Sequence, residues 1–300
     1  MKNIWPGLAV CAAALLAGPA ALAAPVKLSQ PPAKTAPADP SDRTGMNAPF
    51  LVACLNALSS GELSRGVEFC TQALIIDPQD PDGLELRGYG FLLQHRFEKA
   101  EVDLRAAVRL RPGNPENLAG LGQSLVGQYR FSEAIPYFSK AVALAPDSGP
   151  YHQGLCWARA AMGKELQSAL ADCDTAIMLV PSAPAPLNAR GLVALRLGRF
   201  AQAIEDYTAS LTIRPTQPSA SFGRGLARLA LHQTAAGAAD ILKARADDSD
   251  IDAMFIAMGI LPADCAAQQK VKCPAGFPAR DKGEGSGGGL IARWFRPRAP

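Results

Sequence analysis

Small and apolar residues recur along most of the chain with a period close to 34 residues. Prolines mark this period: Pro78, Pro112 and Pro146 are 34 residues apart, Pro181 follows after 35 and Pro215 after another 34. When each proline is taken as position 32, glycine recurs at position 8, alanine at positions 20 and 27, and phenylalanine at position 17. A fixed period of this length predicts pairs of helices that stack into an array.

Each recurring residue has a mechanical reason in such a helix pair. Small residues at positions 8, 20 and 27 let two antiparallel helices approach closely, and the bulky residue at position 17 fills the turn. Proline at position 32 ends the second helix because it cannot donate the helical hydrogen bond. Repeat six differs most from this pattern, because it has Gly237 in place of alanine at position 20 and Ser249 in place of proline at position 32. Repeat four has one extra residue, which is expected in the turn between Gly163 and Leu166.

These motifs resemble those of the tetratricopeptide repeat family, over residues 47–250 and six repeats. The resemblance implies an all-α, right-handed superhelical solenoid of helix–turn–helix repeats. It also implies that positions 2, 5, 9, 12 and 13 of each first helix line an inner face. That face is mostly apolar with a few amides, which suits a protein or peptide partner, and Glu85 and Glu116 also fall on its positions. The residues predicted for the peptide-binding groove are Tyr89, Leu92, Gln123, Trp157, Asn188, Leu195 and Phe222.

Alternatives stay open for these first helices. Their leucines either face a ligand or pack against the neighbouring repeat. Arg87, Arg190 and Arg224 all occupy position 7, where they either form a ladder for anions or pack beside the helix with the guanidinium reaching solvent. Tyr89 and Trp157 are the stronger predictions for partner contact, because bulky aromatic side chains anchor interfaces.

The start of the chain has the pattern of an exported protein. Residues 1–24 begin with Lys2 and continue as an apolar run, typical of a signal peptide that is cut near Ala23 or Ala24. Residues 25–46 are rich in Pro and Ala, which predicts a flexible linker. The chain is therefore expected to be periplasmic or secreted.

The end of the chain is predicted to leave the array. Residues 251–280 predict an apolar capping helix followed by a segment with two cysteines. Residues 281–300 form a Gly-rich tail whose end, Arg293 to Arg298, is basic and aromatic. This end folds back over the capping helix, stays disordered or touches an anionic membrane, and it is the only segment for which membrane contact is expected.

Four cysteines fall on matched repeat positions. Cys54 and Cys70 occupy positions 8 and 24 of repeat one, and Cys156 and Cys173 occupy the same positions of repeat four. In the family, position 8 faces position 24 across the helix pair. The resemblance therefore implies the disulfides Cys54–Cys70 and Cys156–Cys173, which persist in exported proteins. The alternative is that cysteine serves only as a small buried residue at position 8.

Cys265 and Cys273 remain as a third, less certain pair. Eight residues of continuous helix span about 12 Å, so a Cys265–Cys273 disulfide requires the segment between them to bend. A metal site is not predicted, because His95, His152 and His232 lie in different repeats and have no ligand spacing.

The charge balance and the remaining sequence motifs give no indication of an enzyme or of a nucleic-acid-binding protein. The chain has 30 Lys and Arg residues against 27 Asp and Glu, and this near balance gives no support for nucleic acid binding. A G-x-G-x-x-G string at residues 283–288 lies in the tail, where it neither follows a strand nor opens a helix. No catalytic residue and no cofactor are predicted.

Two functions fit these predictions. In the first, the protein is an extracytoplasmic adaptor that binds a partner polypeptide through the inner face of its repeats. In the second, it is an accessory subunit held permanently in an envelope assembly, such as a secretion or polysaccharide-export system.

Overall fold

A computed structural model describes residues 45–262 together with residues 273, 274 and 277. Within these residues the chain forms thirteen α-helices and no strand, arranged as six antiparallel pairs and one further helix. This confirms the all-α repeat fold. The helices are α1 (Ala48–Ser59), α2 (Leu63–Ile76), α3 (Pro81–Leu93), α4 (Phe97–Leu110), α5 (Pro115–Gly127), α6 (Phe131–Leu144), α7 (Gly149–Met162), α8 (Leu166–Leu179), α9 (Pro184–Arg196), α10 (Phe200–Ile213), α11 (Pro218–Ala230), α12 (Thr234–Asp247) and α13 (Ile251–Ala257).

Prolines set both ends of the repeats. Helix α2 ends at Ile76, two residues before Pro78, and the second helices of repeats two to five end at the same distance from their prolines. The residue before a proline is pushed out of the helical conformation, which explains this constant distance. Proline also occupies the first position of four first helices, where its missing N–H costs no hydrogen bond. These residues are Pro81, Pro115, Pro184 and Pro218.

Small residues at position 8 let the two helices of a pair pack closely. A Cβ added to Gly88 would lie 2.7 Å from the side chain of Leu104, and one added to Gly122 would lie 2.9 Å from the ring of Phe138. Leu104 and Phe138 both occupy position 24, so positions 8 and 24 face each other across the pair.

Each pair turns through three residues, and position 15 adopts a left-handed conformation in all six repeats. In repeat four, two residues, Lys164 and Glu165, separate this left-handed residue from the second helix, where each other repeat has one. The extra residue therefore lies between Gly163 and Leu166, as expected from the sequence. Glu165 adds a second left-handed residue there, with φ of 52°. The position-15 residues are Gly61, His95, Tyr129, Gly163, Gly198 and His232.

The chain divides into two compact units, Met1–Pro146 and Asp147–Pro300. Helices α1 to α6, which form repeats one to three, belong to the first unit. Helices α7 to α12, which form repeats four to six, belong to the second unit together with α13. Within the described residues, no helix is long and apolar enough to cross a membrane. The predicted signal peptide, most of the predicted linker and the Gly-rich tail lie outside those residues.

Candidate partner-binding face

Disulfides close the first helix pair of each unit. Cys54 is bonded to Cys70 with their Cα atoms 5.3 Å apart, and Cys156 is bonded to Cys173 with their Cα atoms 5.2 Å apart. All four side chains are fully buried. The two predicted pairs are therefore joined in the structure, at positions 8 and 24 of repeats one and four.

Ion pairs between positions 7 and 23 link the two helices of repeats two, five and six, which have no disulfide among the described residues. In repeat two, Nε of Arg87 donates to one carboxylate oxygen of Asp103 at 2.7 Å, and a terminal nitrogen donates to the other at 2.8 Å. The arginine is at position 7 and the buried aspartate at position 23. The hypothesis of an anion ladder is therefore wrong, because each of these guanidinium groups already binds a carboxylate. The other two pairs are Arg190–Asp206 and Arg224–Asp240.

Three of the predicted groove residues lie in the interior. Leu92, Leu195 and Phe222 are at most 1% exposed, so no ligand reaches them in this conformation. This corrects the prediction for these three residues: they pack between helices, as the alternative proposed for the leucines. The 34-residue period shows which face a residue occupies, but it does not show what covers that face.

Two more predicted groove residues link neighbouring first helices. The hydroxyl of Tyr89 donates to the backbone carbonyl of Glu116 at 2.7 Å, and its ring lies against Gly120, where an added Cβ would come within 3.1 Å of it. Asn188 donates from Nδ2 to the hydroxyl of Ser219 at 2.9 Å. Both side chains are buried and link one repeat to the next. The prediction that they contact a partner is therefore wrong, as it is for Leu92, Leu195 and Phe222.

The last two predicted residues keep some contact with solvent. Gln123 is 9% exposed. Trp157 is partly exposed, and it is the most accessible of the seven predicted groove residues. The seven residues therefore do not form an open groove. Most of them are buried between helices, beneath the inner face.

C-terminal residues cover the inner face in the second unit. The ring of Phe255 on α13 lies 4.4 Å from the ring of Phe222, measured between centroids, and the ring of Phe277 lies 6.0 Å from it. Phe277 also lies under the guanidinium of Arg245, at 4.9 Å. Cys273, close to Phe277 in the chain, is disulfide-bonded, and its predicted partner Cys265 lies outside the described residues.

Arg196 ties this covering segment to the repeats. Its guanidinium, at position 13 of α9, donates to the backbone carbonyl of Met258 at 2.6 Å and to that of Ala161. Both carbonyls lie at helix C-termini, where backbone oxygens need donors and positive charge is favoured. Burial lowers the pKa of Arg196 to about 10. Within the described residues, Arg196 has no carboxylate in an ion pair.

Carboxylates gather on the inner face of the first unit. Asp82 and Glu85 lie in the first turns of α3, and Glu116 lies in the first turn of α5. Arg111, just after α4, pairs with Asp82. Burial, with a contribution from Asp82, raises the pKa of Glu85 to about 8. We call Asp82, Glu85 and Glu116 the acidic cluster.

A buried amide lies beside the acidic cluster. Asn117 follows Glu116 on α5, and its side chain is fully buried. Its amide lies against the Glu85 carboxyl and lowers the pKa of that carboxyl through a side-chain hydrogen bond, against the larger effect of burial.

Comparison with known proteins identifies the repeats. The family model for the tetratricopeptide repeat matches residues 86–149 and 188–251. This chain is a tetratricopeptide repeat protein. A search of curated proteins finds no match.

Solved tetratricopeptide-type structures share the fold at low sequence identity. A chain of the APC/C hetero-tetramer Cut9–Hcn1 is 15% identical over 71% of this chain, with a TM-score of 0.59, and this chain spans only 42% of it. PilW, described as a type IV pilus biogenesis factor, is 17% identical over 67% of this chain and 93% of its own, with a TM-score of 0.57. PilF of Pseudomonas aeruginosa is 17% identical over 69% and 94%, with a TM-score of 0.53. At these identities the likeness concerns the fold alone.

Sequence reasoning found part of this tetratricopeptide site. It placed Glu85 and Glu116 on the inner face through positions 5 and 2, but it gave them no role. It missed Arg111 and Asn117, which lie outside the five inner-face positions. The sequence feature that could have identified these carboxylates is their recurrence at positions 2 and 5 of adjacent first helices. The prediction instead gave priority to the aromatic residues.

Proposed function

We propose that the protein is an extracytoplasmic scaffold that binds a partner polypeptide on the inner face of its first unit. The observation that carries the proposal is the combination of partly exposed apolar residues with carboxylates that have no ion-pair partner among the described residues. The partly exposed apolar residues on this face are Leu51, Leu55, Leu93 and Val126, which we call the apolar strip.

The apolar strip and the acidic cluster complement each other as a recognition surface. Apolar side chains of an extended or helical peptide gain free energy from burial against the strip, while polar groups beside it fix the register of the peptide. The inner face of the second unit is less suited to this role, because Phe255, Phe277 and the carbonyl of Met258 occupy it.

The cysteines support an extracytoplasmic location. All five cysteines among the described residues are disulfide-bonded, and disulfides are rare in proteins of a reducing cytosol. The apolar run in residues 1–24 points the same way, since it has the pattern of a secretory signal peptide.

Site-specific photo-crosslinking in intact cells tests the proposal. A photoreactive amino acid is placed at Leu55 or at Val126 on the inner face, and at Val102, which is 69% exposed on α4, as the control. We expect the two inner-face positions to give the same discrete crosslinked polypeptide and the control to give none of it. Equal crosslinking at Val102, or no crosslink at either inner-face position, contradicts the proposal.

The same experiment separates an adaptor from a permanent accessory subunit. An adaptor is recovered largely as free protein, with the crosslinked species as a minor fraction. A subunit is recovered with its partner in fixed stoichiometry before any crosslinking.

A further inference from the structure

We infer that a cavity of the second unit binds a carboxylate group carried on a short apolar stem. The cavity is lined by residues of α10, α11 and α12, and its volume is about 270 Å³. One water molecule needs only about 10–15 Å³, so the cavity has room for a group of several heavy atoms. The inference goes beyond the proposed function, because it concerns the other unit and does not depend on the inner face of the first.

A small residue at position 4 of repeat six leaves room for the cavity. In repeat two, Leu84 occupies position 4 and packs against Leu74, which is at position 28 of the repeat before. Repeat six has Ser221 at position 4, and the position-28 residue before it, Leu211, lines the cavity. The space that a leucine side chain fills in repeat two is therefore open in repeat six. Repeats one to five all have a larger residue at position 4: Phe50, Leu84, Leu118, His152 and Leu187.

The hydroxyl of Ser221 provides an independent reason to expect a ligand. Ser221 lines the cavity and is only 1% exposed, and its hydroxyl has no hydrogen-bond partner among the described residues. Buried hydroxyls nearly always make a hydrogen bond, so an unsatisfied one calls for a partner from outside the chain. The hydroxyl turns about a single bond and can donate into the cavity that its residue lines.

Lys243 places a half-exposed ammonium group beside the cavity. Its Nζ donates to the backbone carbonyl of Pro215 at 3.3 Å and to the carboxylate of Asp247, one turn along α12, at 3.0 Å. An exposed ion pair of this kind is weak, and an ammonium group has three donors. In the described part of the chain, one N–H of Lys243 therefore remains free for an anion that enters from solvent.

Arg224 and Thr208 add charge and a second free hydroxyl to the cavity. Arg224 binds both carboxylate oxygens of Asp240 at 2.8 Å, and its remaining terminal nitrogen donates to the hydroxyl of Thr208 at 3.3 Å. Because that hydroxyl accepts here and donates to no other described residue, its proton is free for a carboxylate. Arg228 donates to the same Asp240 carboxylate at 2.7 Å. With the pair that Lys243 forms, three cations share two carboxylates, so one positive charge is unbalanced within these ion pairs.

These groups suit a carboxylate better than a phosphate or a cation. The free donors of Ser221, Thr208 and Lys243 can bind the two oxygens of one carboxylate, each of which accepts more than one hydrogen bond. Leu211 and the ring of Pro215 supply apolar surface for the stem. One unbalanced positive charge matches the single charge of a carboxylate, whereas a phosphate group carries more negative charge at neutral pH.

Methyl NMR of the purified full chain tests the inference, because Thr208, Leu211 and Thr212 line the cavity and carry methyl groups. The probes are butanoate, its neutral analogue butanamide, and inorganic phosphate. We expect butanoate to shift these signals with a dissociation constant of about 1–10 mM, which is typical of so small a ligand. Butanamide should bind at least about tenfold more weakly, because it cannot accept charge-assisted hydrogen bonds from the ammonium and hydroxyl donors.

Three variants decide the outcome. Lys243→Met removes the ammonium group and should weaken butanoate binding at least about fivefold. Lys140→Met, at the same position 26 of repeat three, is the matched control and should leave binding unchanged. Ser221→Leu gives repeat six the residue of repeats two and three and should abolish binding by filling the cavity. Equal binding of butanamide or of phosphate, or unchanged binding in Lys243→Met, overturns the inference, whether or not Ser221→Leu folds.

A blocked peptide separates the two sources of such a carboxylate. Acetyl-Gly-Glu-Gly-amide carries the group on the short stem of a glutamate side chain. Binding of this peptide at least as tight as that of butanoate indicates a glutamate of a partner polypeptide, and weaker binding indicates a free small carboxylate. The crosslinks at Leu55 and Val126 report on the first unit, so their absence refutes the proposed function and leaves the cavity of the second unit unaffected.

Discussion

The first two repeats of each unit have the same links between their helices, whereas the third repeats differ. Each begins with a repeat closed by a disulfide, and each continues with a repeat closed by an ion pair between positions 7 and 23. Arg87 and Arg190 are 103 residues apart, as are Asp103 and Asp206. The first two repeats of each unit therefore share these features at a spacing of three repeats.

The third repeats show what the two units do differently. Repeat three has Leu121 and Tyr137 at positions 7 and 23, and therefore no ion pair there, whereas repeat six has Arg224 and Asp240. At position 5, repeat three has Ala119 and repeat six has Phe222, which Phe255 and Phe277 cover. The second unit packs Phe222 against its own C-terminal segment, whereas Glu85 and Glu116 of the first unit have no ion-pair partner among the residues that the structure describes.

The largest expected loss of stability comes from removing the Phe255 ring that packs against Phe222 in the second unit. Phe255→Ala removes a fully buried ring from α13 and should cost about 3–5 kcal/mol of unfolding free energy. Hydrogen exchange should show lost protection in α11 and unchanged protection in α5 of the first unit. Leu242→Ala, at a side chain 51% exposed on α12, is the matched control. Equal loss of protection in α5 would contradict the separation of the two units.

Removal of the disulfides tests whether the first repeats of the units are equivalent. The double variants Cys54→Ala with Cys70→Ala, and Cys156→Ala with Cys173→Ala, each open a loop of similar length, with sequence separations of 16 and 17. Each should lose about 3 kcal/mol of unfolding free energy because the unfolded chain gains freedom. Urea unfolding measures the loss. Free thiols at these positions in the unreduced wild type would show that the prediction is wrong.

The pH dependence of stability tests the acidic cluster alone. A carboxyl whose pKa is raised from 4.5 to about 8 keeps a proton in the folded protein that the unfolded chain has lost. Its contribution to stability therefore falls as the pH rises from about 4.5 to about 8. Relative to wild type, Glu85→Gln should gain about 2 kcal/mol between pH 5 and pH 8.5, after allowance for local rearrangement. Urea unfolding at both pH values measures this, with Glu68→Gln as the control. An identical shift in the control would contradict the assignment.

The sequence predicts the parts of this molecule that depend on local spacing. The period of the prolines, the small residues at position 8 and the paired cysteines all follow from contacts within one helix pair. The cover of Phe222 could not be predicted in this way, because Phe255 and Phe277 lie 33 and 55 residues further along the chain. The acidic cluster was missed for the same reason: Glu85 and Glu116 come from different repeats, and pairing of Arg111 with Asp82 is a tertiary contact.

The smallest effect concerns position 15, where the two units are alike. Gly61 in the first unit and Gly198 in the second have φ of 82° and 72°, and a Cβ added to either would meet no atom within 4 Å. Substitution by alanine therefore tests the backbone alone, and each variant should lose about 1 kcal/mol of unfolding free energy. His232 adopts the same conformation with φ of 60°, so His232→Gly should gain about 0.5 kcal/mol, since relief of strain exceeds the added freedom of the unfolded chain. Urea unfolding of the three variants measures both signs. A loss in His232→Gly would show that its side chain contributes more than its backbone conformation costs.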